Sequence, residues 1–421
     1  MTKEKEIDLI VIGAGPAGMI AAGRAAELGA KVILLEKNRK LGEKLMLTGK
    51  GRCNITNDER DLRVLVDSYG KNGKFLFHAF SLFGPKDVVK FFNGLQVKTK
   101  TERGQRVFPS SDRGTDVLKA LIRYLAKNRV EILTNVQVVK IVRRGEQVKK
   151  IITKVNRERR EFVAQRYILA TGGLSYPETG STGDGLAWAE KLGHKVEESS
   201  PALVPLKTRE TWVKDLQGLS LKNVEIKIKG SQKKESSRFG EFLFTHFGVS
   251  GPIVLDLSKK IVEQLKDQQE VKIEIDLKPA LDFNKLDQRV QRDLNKFGNK
   301  ALKNSFEDLL PRRMIPVFLR ILKIDHQKKS SEVTKEERHK IVHLLKNLEL
   351  TVIGSIGFKQ AIVTSGGVSL KEIDDQTMKS KIINNLYFAG EIINIDGPTG
   401  GYNLQLCWST GYLAGQSATK I

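Results

Sequence analysis

The chain has 421 residues, of which 40% are hydrophobic and 29% are charged. This length is too great for one ordinary hydrophobic core, so we expect two or three domains. No uncharged apolar stretch reaches the ~18 residues that a membrane-spanning helix needs, and the N-terminus carries no apolar signal region, so we expect a cytoplasmic protein without membrane partners. Two cysteines, Cys53 and Cys407, fit a reducing compartment, and 72 Lys and Arg against 49 Asp and Glu give a charge of +23, which favours polyanionic partners.

A glycine motif opens the chain, because residues 10–18 read Ile-Val-Ile-Gly-Ala-Gly-Pro-Ala-Gly. The preceding apolar run predicts a buried strand, a helix runs on to Gly29, and a second apolar strand leads to Glu36. In such a unit the three glycines permit the turn, the approach of a pyrophosphate and close packing of the helix, and the acid accepts hydrogen bonds from ribose hydroxyls. The pattern predicts a dinucleotide site formed by Gly13, Gly15, Pro16, Ala17, Gly18, Glu36 and Lys37.

The rest of the chain changes character twice. Residues 37–57 form a long loop, 113–127 a helix, and 130–168 a small antiparallel meander that ends in an apolar strand at Ala170. Alternating strands follow at 224–228 and 271–277, then helical periodicity from 283 to about 348. We therefore predict an FAD-binding domain built from residues 1–194 and 356–421, interrupted by an inserted domain that is β-rich over 195–280 and helical over 281–355.

The C-terminal part distinguishes FAD from NAD. An apolar strand meets Gly390 and Glu391, and Gly400-Gly401 then opens a final helix, an order that resembles the second flavin-contact motif of two-dinucleotide flavoproteins. A helix N-terminus at the flavin pyrimidine stabilises the negative charge of the reduced ring. With the Gly-Gly signal after Ala170, the predicted FAD contacts extend to Thr171, Gly172, Gly173, Gly390, Glu391, Asp396, Gly400, Gly401, Tyr402 and Asn403. A second GxGxxG is absent, so a nicotinamide donor, NAD(P)H, is expected to bind transiently.

Five long motifs, at residues 47–57, 171–177, 179–185, 245–252 and 397–403, make the chain similar to the BaiN/RdsA family of FAD-dependent oxidoreductases. The resemblance implies an α/β fold, a glutathione-reductase-type Rossmann FAD-binding domain with an inserted β-rich plus helical domain. It implies non-covalent FAD, held also by Val138. It further implies one of three activities: dihydrouridine formation in 23S ribosomal RNA, reduction of carbon–carbon double bonds in bile-acid intermediates, or aminoacetone oxidation.

Candidate catalytic residues are fewer. Cys53 and His246 are the candidate proton donors, with Arg52 expected to favour the Cys53 thiolate; a packing cysteine and a structural histidine are the alternatives. Lys50, Gly51 and Arg52 are expected to clamp phosphate or the flavin in their loop. Tyr176 and Asn403 are weaker candidates for the substrate side, and Asp184 is expected to shape a turn. No metal site is predicted, because His339 and His343 lack a ligand partner.

Three classes of function stay open on the sequence. The best hypothesis is reduction of uridine in 23S rRNA, supported by the net charge and by the segment Lys140–Arg160, in which nine Lys or Arg stand against two Glu. A solvated hairpin explains that segment equally well. The second class is a small-molecule enzyme, either an enone reductase or an amine oxidase. The third is a non-catalytic flavoprotein that binds the ribosome or senses redox state.

Overall fold

We describe a computed structural model of the chain, which covers residues 7–156, 158–230 and 236–419. It separates into two compact units, one made of residues 1–201 and 361–421 and the other of residues 202–360. The sequence pattern places a similar interruption between residues 195 and 355, and that division into domains stays a prediction. None of the helices in the described ranges is long and apolar enough to span a membrane.

The α-helices of the described ranges are α1 (Pro16–Glu27), α2 (Leu62–Asp67), α3 (Phe77–Leu82), α4 (Pro85–Gly94), α5 (Gly114–Lys127), α6 (Asp184–Lys191), α7 (Pro252–Asp267), α8 (Phe283–Lys296), α9 (Met314–Leu322), α10 (Lys335–Lys346) and α11 (Tyr402–Ser417). The strands are β1 (Leu9–Ile12), β2 (Val32–Leu35), β3 (Thr56–Asn57), β4 (Thr99–Glu102), β5 (Arg106–Pro109), β6 (Glu131–Leu133), β7 (Gln137–Arg144), β8 (Gln147–Val155), β9 (Glu158–Phe162), β10 (Arg166–Leu169), β11 (Val196–Ala202), β12 (Leu206–Thr208), β13 (Ser220–Ile228), β14 (Ser237–Phe244), β15 (Gly248–Ser250), β16 (Val271–Asp276), β17 (Leu348–Ser355), β18 (Val363–Val368) and β19 (Leu386–Phe388).

A five-stranded parallel sheet forms the centre of the first unit, in the order β19-β10-β1-β2-β6. Its strands are short, and β1, β2 and β19 are buried on both faces, as expected where helices cover a parallel sheet, whereas the edge strand β6 is partly exposed. The register sets Ile12 beside Leu169 and Leu169 beside Phe388, so three strands end at one edge. The predicted cofactor motifs that follow these strands are therefore brought together at their carboxyl ends, where α/β sheets bind ligands.

The predicted meander over residues 130–168 is only partly right. Strands β7, β8 and β9 form a three-stranded antiparallel sheet, but β6 before them and β10 after them belong to the parallel sheet. The alternation of apolar residues does not reveal this change, because a short buried strand has the same appearance in either sheet. Inside the predicted loop over residues 37–57 lie a 3₁₀ segment, Lys44–Gly51, and strand β3.

Helices α1 and α11 pack closely through small residues. A Cβ built on Gly411 would lie 2.4 Å from the carbonyl oxygen of Ala17, and one built on Gly415 would lie 2.3 Å from that of Ala21. The backbones can approach this closely only because both positions lack a side chain. The two contacts run in the same direction along both helices. Because Ala17 lies one residue after the start of α1 and Gly411 lies nine residues after the start of α11, the N-terminus of α11 extends beyond that of α1 by roughly 12 Å at about 1.5 Å per residue.

We expect the substitution Gly411→Ala to lower the free energy of unfolding by up to about 2 kcal/mol. Replacing a helical glycine with alanine gains about 1 kcal/mol from propensity, but overpacking against a backbone carbonyl costs about 1–3 kcal/mol. Gly94→Ala is the matched control, because a Cβ on this exposed residue of α4 meets no atom within 4 Å. Urea unfolding of both variants measures the effect, and a Gly411→Ala protein as stable as the Gly94→Ala protein would refute the contact.

The second unit is a closed antiparallel barrel with helices packed on it, in the strand order β12-β15-β14-β13-β16-β17. Val271, Ile273 and Ile275 are buried on β16 while Lys272 is exposed, which confirms the predicted alternation. The order of elements differs from the prediction of strands followed by helices. Helix α7 lies inside the predicted β-rich segment, and β17 follows the helices and closes the barrel between β16 and β12. Closure depends on pairing across more than a hundred residues, which local periodicity does not encode.

Candidate active site

The turn after β1 has the geometry that the glycine motif predicts. A Cβ on Gly13 would lie 2.6 Å from the carbonyl oxygen of Ala170, and one on Gly18 would lie 1.8 Å from that of Gly13, so neither position accepts a side chain. A Cβ on Gly15, by contrast, meets no atom of the described chain within 4 Å. Gly15 is also the N-cap of α1 and makes no side-chain cap, with Pro16 next to it in the first turn. Open space beside an uncapped helix N-terminus suits a phosphate group.

Glu36 lies at the end of β2 and faces this turn. Its Oε2 accepts a hydrogen bond from the backbone N–H of Ala14 at 2.8 Å, and its Oε1 accepts one from that of Asn38 at 2.9 Å. Burial raises the pKa of the Glu36 carboxyl above its ordinary value, and the two backbone donors only partly offset this. Each carboxylate oxygen keeps lone-pair capacity for a further donor, so the residue fits the predicted role of ribose acceptor.

Lys37 holds a second loop rather than standing free. Its Nζ donates to Asp184 Oδ2 at 2.7 Å and also to Thr182 Oγ1. Asp184 begins α6, so this ion pair fixes the loop of residues 180–184 next to the carboxyl end of β2. This contact is structural, as expected for Asp184, and it leaves Lys37 as a residue that shapes the predicted cofactor site from its edge.

The segment after β10 carries an unsatisfied hydroxyl. Thr171 Oγ1 is buried and has no hydrogen-bond partner in the described structure. Gly172 has a φ of +71°, and a Cβ on Gly173 would lie 2.4 Å from Thr364 Oγ1, so both glycines are required by the local fold. Leaving a buried hydroxyl unpaired costs about 1–3 kcal/mol, which indicates that a ligand atom completes this group.

Lys44 is a site residue that the sequence analysis missed. Its Nζ donates to Glu391 Oε2 at 2.7 Å and to Ser175 Oγ at 2.9 Å, and Glu391 Oε1 also accepts from Ser175 Oγ at 2.8 Å and from the Thr364 backbone N–H at 2.7 Å. Both charged side chains are largely buried, with 20% and 13% of their surface exposed. Glu391, predicted to contact the cofactor, therefore lies at the centre of a polar network behind the strand end at Gly390.

The N-terminus of α11 is built by a glycine loop. Gly401 is its N-cap with φ +105° and no side-chain cap, and a Cβ there would lie 2.3 Å from the Thr56 backbone carbon. Asn403 holds the loop: its Oδ1 accepts from the Gly397 N–H at 2.9 Å and its Nδ2 donates to the Gly397 carbonyl at 2.8 Å. Asn403 therefore preorganises the helix N-terminus, and the Tyr402 carbonyl accepts a hydrogen bond from Tyr69 Oη at 2.7 Å.

The loop of Lys50, Gly51, Arg52 and Cys53 differs from expectation in its electrostatics. Arg52 Nη1 pairs with Glu102 at 3.0 Å and Asp112 at 3.2 Å, and its guanidinium lies over the Phe108 ring. Cys53 is fully buried, and burial raises the pKa of its thiol to about 12. The prediction that Arg52 favours the Cys53 thiolate is therefore wrong, because the guanidinium is neutralised by carboxylates and the sulfur is desolvated. Lys50 is exposed and has a φ of +59°.

We expect Cys53 to resist alkylation in the native protein. With a thiol pKa of about 12, the fraction of Cys53 present as thiolate at pH 8 is on the order of 10⁻⁴. As long as the pH is below the pKa, this fraction increases about tenfold for each unit by which the pH is raised. Iodoacetamide labelling followed by peptide mass spectrometry measures the rate, and labelling in urea shows that the same thiol reacts once exposed. Rapid labelling of native Cys53 at pH 8 would contradict the burial.

The remaining candidates are dispersed. Val138 is buried on β7, Asp396 is half-buried between β19 and α11, and Tyr176 is half-buried with a φ of +51°. His246 belongs to the second unit, where it is exposed between β14 and β15 and contacts the Phe247 ring edge-on. No cluster of three or more metal-ligand side chains occurs in residues 7–156, 158–230 and 236–419.

These residues fit the predicted dinucleotide. An open space at Gly15 beside an uncapped helix, an acceptor at Glu36 and an unpaired hydroxyl at Thr171 follow the carboxyl ends of β1, β2 and β10. A second uncapped helix N-terminus, at Gly401, lies against Thr56. The two helix N-termini would hold the pyrophosphate and the electron-rich end of the ring, and Glu36 would hold the ribose.

Comparison with known proteins places the chain in context. A protein-family profile described as "HI0933-like protein Rossmann domain" matches residues 7–417. The chain is 31% identical over 414 residues to 3-dehydro-bile acid delta(4,6)-reductase of Clostridium scindens, a match that covers 97% of this chain and 98% of that protein. It is 30% identical over 418 residues to the ribosomal RNA dihydrouridine synthase of Haemophilus influenzae, with 98% of both chains covered.

A solved structure with a similar fold is 3-ketosteroid-delta4-(5alpha)-dehydrogenase from Rhodococcus jostii RHA1 in complex with 4-androstene-3,17-dione. The TM-score is 0.54 at 14% sequence identity, and the match covers 100% of this chain and 99% of that chain. At this identity the likeness establishes the fold alone. Together with the family profile it confirms the predicted class, an α/β fold with a Rossmann-type FAD-binding domain.

Proposed function

This chain belongs to the HI0933-like Rossmann family of FAD-dependent oxidoreductases, and we propose that it reduces a carbon–carbon double bond conjugated to a carbonyl group, with uridine in 23S ribosomal RNA as the substrate. The observation that carries the proposal is the open space at Gly15 beside the uncapped N-terminus of α1, which suits the pyrophosphate of FAD. We further propose that NAD(P)H reduces the bound flavin and that the reaction takes place in the cytoplasm.

The names of the two full-length relatives share one chemistry. In uracil the C5–C6 double bond is conjugated to the C4 carbonyl, and in a 3-dehydro-delta(4,6) bile acid the double bonds are conjugated to the C3 carbonyl. A reduced flavin supplies the hydride for either reaction. Identities of 31% and 30% do not separate the two substrates, so the substrate is argued from the surface of this chain.

The basic face of the β7–β8–β9 sheet favours RNA. Pairing across the strands aligns Lys154 with Arg159 and Lys140 with Ile152, which sets these cations on exposed positions of the sheet. Within the described ranges Lys140, Lys154 and Arg159 make no ion pair, whereas Lys150 pairs with Glu161 at 2.8 Å. Exposed cations without acidic partners attract a phosphate backbone over several ångströms and release its counterions on binding.

The chain's own residues give the reaction its geometry. The α1 N-terminus would hold the pyrophosphate of FAD and Glu36 would hold its ribose. The dipole of α11 would stabilise negative charge on a reduced flavin ring bound near the N-terminus of that helix. Cys53 keeps its proton at neutral pH because its thiol pKa is about 12, so it can only donate a proton to a strongly basic carbon. Cys53 remains the proposed candidate for the proton donor, and His246, which belongs to the second unit, remains a prediction from the sequence.

The test is mass spectrometry of nucleosides from large-subunit rRNA of the host with and without the gene. We expect dihydrouridine to be lost on deletion and restored by the wild-type chain but not by a Gly15→Asp variant; a Cys53→Ala variant then tests the proton donor. Unchanged dihydrouridine in the deletion strain would end the RNA proposal.

A small-molecule reductase is the second candidate, and it is favoured by the full-length likeness to the bile-acid reductase. If rRNA is unaffected, anaerobic reoxidation of the NAD(P)H-reduced protein by 4-androstene-3,17-dione would support this candidate. Bleaching of the flavin by aminoacetone, with no bleaching by NAD(P)H, would instead support an amine oxidase.

A further inference from the structure

We propose that Arg106 is a substrate-binding residue whose guanidinium donates a hydrogen bond to the carbonyl oxygen conjugated to the reduced double bond. The inference rests on the proposed reduction of an unsaturated carbonyl, and it adds a residue that the sequence motifs do not contain. The substrate class is then that of unsaturated carbonyl compounds. The carbonyl oxygen bound by Arg106 becomes an oxyanion when a hydride is added to the β carbon of the double bond.

The position of Arg106 is set by the small β3–β5–β4 sheet. In its ladder Arg106 stands between Asn57 on β3 and Glu102 on β4, so the three side chains share a face. A Cβ built on Gly400 would lie 3.9 Å from Arg106 Nε. The guanidinium is therefore next to the glycine loop that begins α11, the helix whose N-terminus faces the proposed flavin.

The charge of Arg106 is left without a protein partner. The residue is half-buried, and within the described structure it makes no ion pair and no side-chain hydrogen bond. Its neighbour Glu102 is already taken by Arg52 at 3.0 Å and Lys100 at 3.4 Å. Desolvating a charge without pairing it is unfavourable, so a half-buried guanidinium in this state is best explained by an acceptor that arrives with a ligand.

Asn57 makes the arrangement rigid. Its Nδ2 donates to the carbonyls of Gly104, in the β4–β5 turn, at 3.1 Å and of Gly400 at 3.2 Å. These two bonds tie the hairpin that carries Arg106 to the start of α11. Asn57 Oδ1 is buried and has no hydrogen-bond partner in the described structure. Asn57 is thus a positioning residue for the guanidinium.

The chemistry explains why a cation is useful here. As the β carbon receives a hydride from the reduced flavin, the electron pair of the double bond moves through the α carbon toward the carbonyl oxygen, which becomes an enolate oxygen. The α carbon then takes a proton from an acid, and the carbonyl is restored. Two electrons and two hydrogens are thus added. The guanidinium of Arg106 acts only as a hydrogen-bond donor, and its hydrogen bond strengthens as the charge forms, as for donors of an oxyanion hole.

The experiment separates the two half-reactions by stopped-flow absorbance under anaerobic conditions. The NAD(P)H-reduced wild type, Arg106→Gln and Arg106→Lys proteins are mixed with an in vitro transcript of 23S rRNA or with 4-androstene-3,17-dione. Arg106→Gln is expected to bind flavin and be reduced by NAD(P)H as the wild type does, and to be reoxidised by the carbonyl acceptor about 10²–10³-fold more slowly at saturation, the loss typical of one oxyanion donor. Arg106→Lys should recover part of the rate. Arg103→Gln, an exposed arginine on the same hairpin, is the matched control and should behave as the wild type.

The outcomes distinguish this inference from the proposed function. If the wild type is reoxidised by a carbonyl acceptor and Arg106→Gln is reoxidised equally fast, Arg106 does not bind the reacting carbonyl and the inference alone is overturned. The inference is also overturned if Arg103→Gln is slowed as much, since the effect is then one of surface charge. If neither acceptor reoxidises the wild type, both the proposed function and the inference are overturned.

Discussion

The substitution Gly15→Asp is expected to abolish flavin binding while leaving the chain folded. Gly15 is the N-cap of α1 in an extended conformation, with φ −77° and ψ −176°, and an added Cβ meets no atom within 4 Å. An aspartate there caps the helix itself, which stabilises the protein without cofactor by roughly a few tenths of a kcal/mol relative to glycine. Its carboxylate also occupies the phosphate space and repels the anion, so we expect FAD affinity to fall at least about 1,000-fold, equal to ~4.1 kcal/mol.

The matched control is Gly15→Asn, which has the same shape and capping ability without the charge. Thermal unfolding of the cofactor-free proteins and fluorescence titration with FAD measure the two effects separately. If Gly15→Asn loses less affinity for FAD than Gly15→Asp does, the difference between the two variants measures the charge repulsion at the pyrophosphate. If Gly15→Asp binds FAD as tightly as the wild type, the phosphates lie elsewhere and the cradle is misassigned.

Breaking the buried Lys44–Glu391 pair should destabilise the protein strongly. The Nζ–Oε2 distance is 2.7 Å, Lys44 Nζ also donates to Ser175 Oγ at 2.9 Å, and most of the surface of both charged side chains is buried. Removing one partner of a buried pair leaves the other charge uncompensated, which costs about 3–5 kcal/mol, so Lys44→Met is expected to lower the free energy of unfolding by that amount. Urea unfolding at constant flavin saturation measures it.

A double-mutant cycle identifies the cause. Lys44→Met combined with Glu391→Gln removes both charges, and we expect it to be less destabilised than the sum of the two single variants. Lys37→Met, which breaks the more exposed pair with Asp184, is the control, with an expected cost of about 1 kcal/mol or less. Strict additivity of the two single substitutions at residues 44 and 391 would show that the charges do not interact.

The nucleotide cradle was predictable because its determinants are local. The spacing of Gly13, Gly15 and Gly18 predicts which of these positions cannot carry a side chain. In the structure a Cβ would clash at Gly13 and Gly18, whereas the space beside Gly15 is open. Glu36 follows β2 immediately, so its position depends only on the strand that precedes it.

The polar surroundings of the cradle were not predictable, because they depend on residues far apart in the chain. Lys44 meets Glu391 across 347 positions, and Arg52 is neutralised by Glu102 across 50 positions. The neighbouring Arg52 suggested that Cys53 is a thiolate, whereas burial raises the pKa of its thiol to about 12 and keeps it protonated. Arg106 was also not identified as a site residue from the sequence. The strand pairing places Arg106 opposite Glu102, and the ion pair between Arg52 and Glu102 shows that this carboxylate already has a partner.

The most direct test of the account is the visible absorbance spectrum of the purified wild-type chain, followed by titration with FAD and then with NAD(P)H. We expect a yellow protein that binds one FAD non-covalently and loses its flavin absorbance when the nicotinamide is added. A preparation that is colourless and stays so after incubation with FAD would contradict the claim that a flavin is held between the N-termini of α1 and α11.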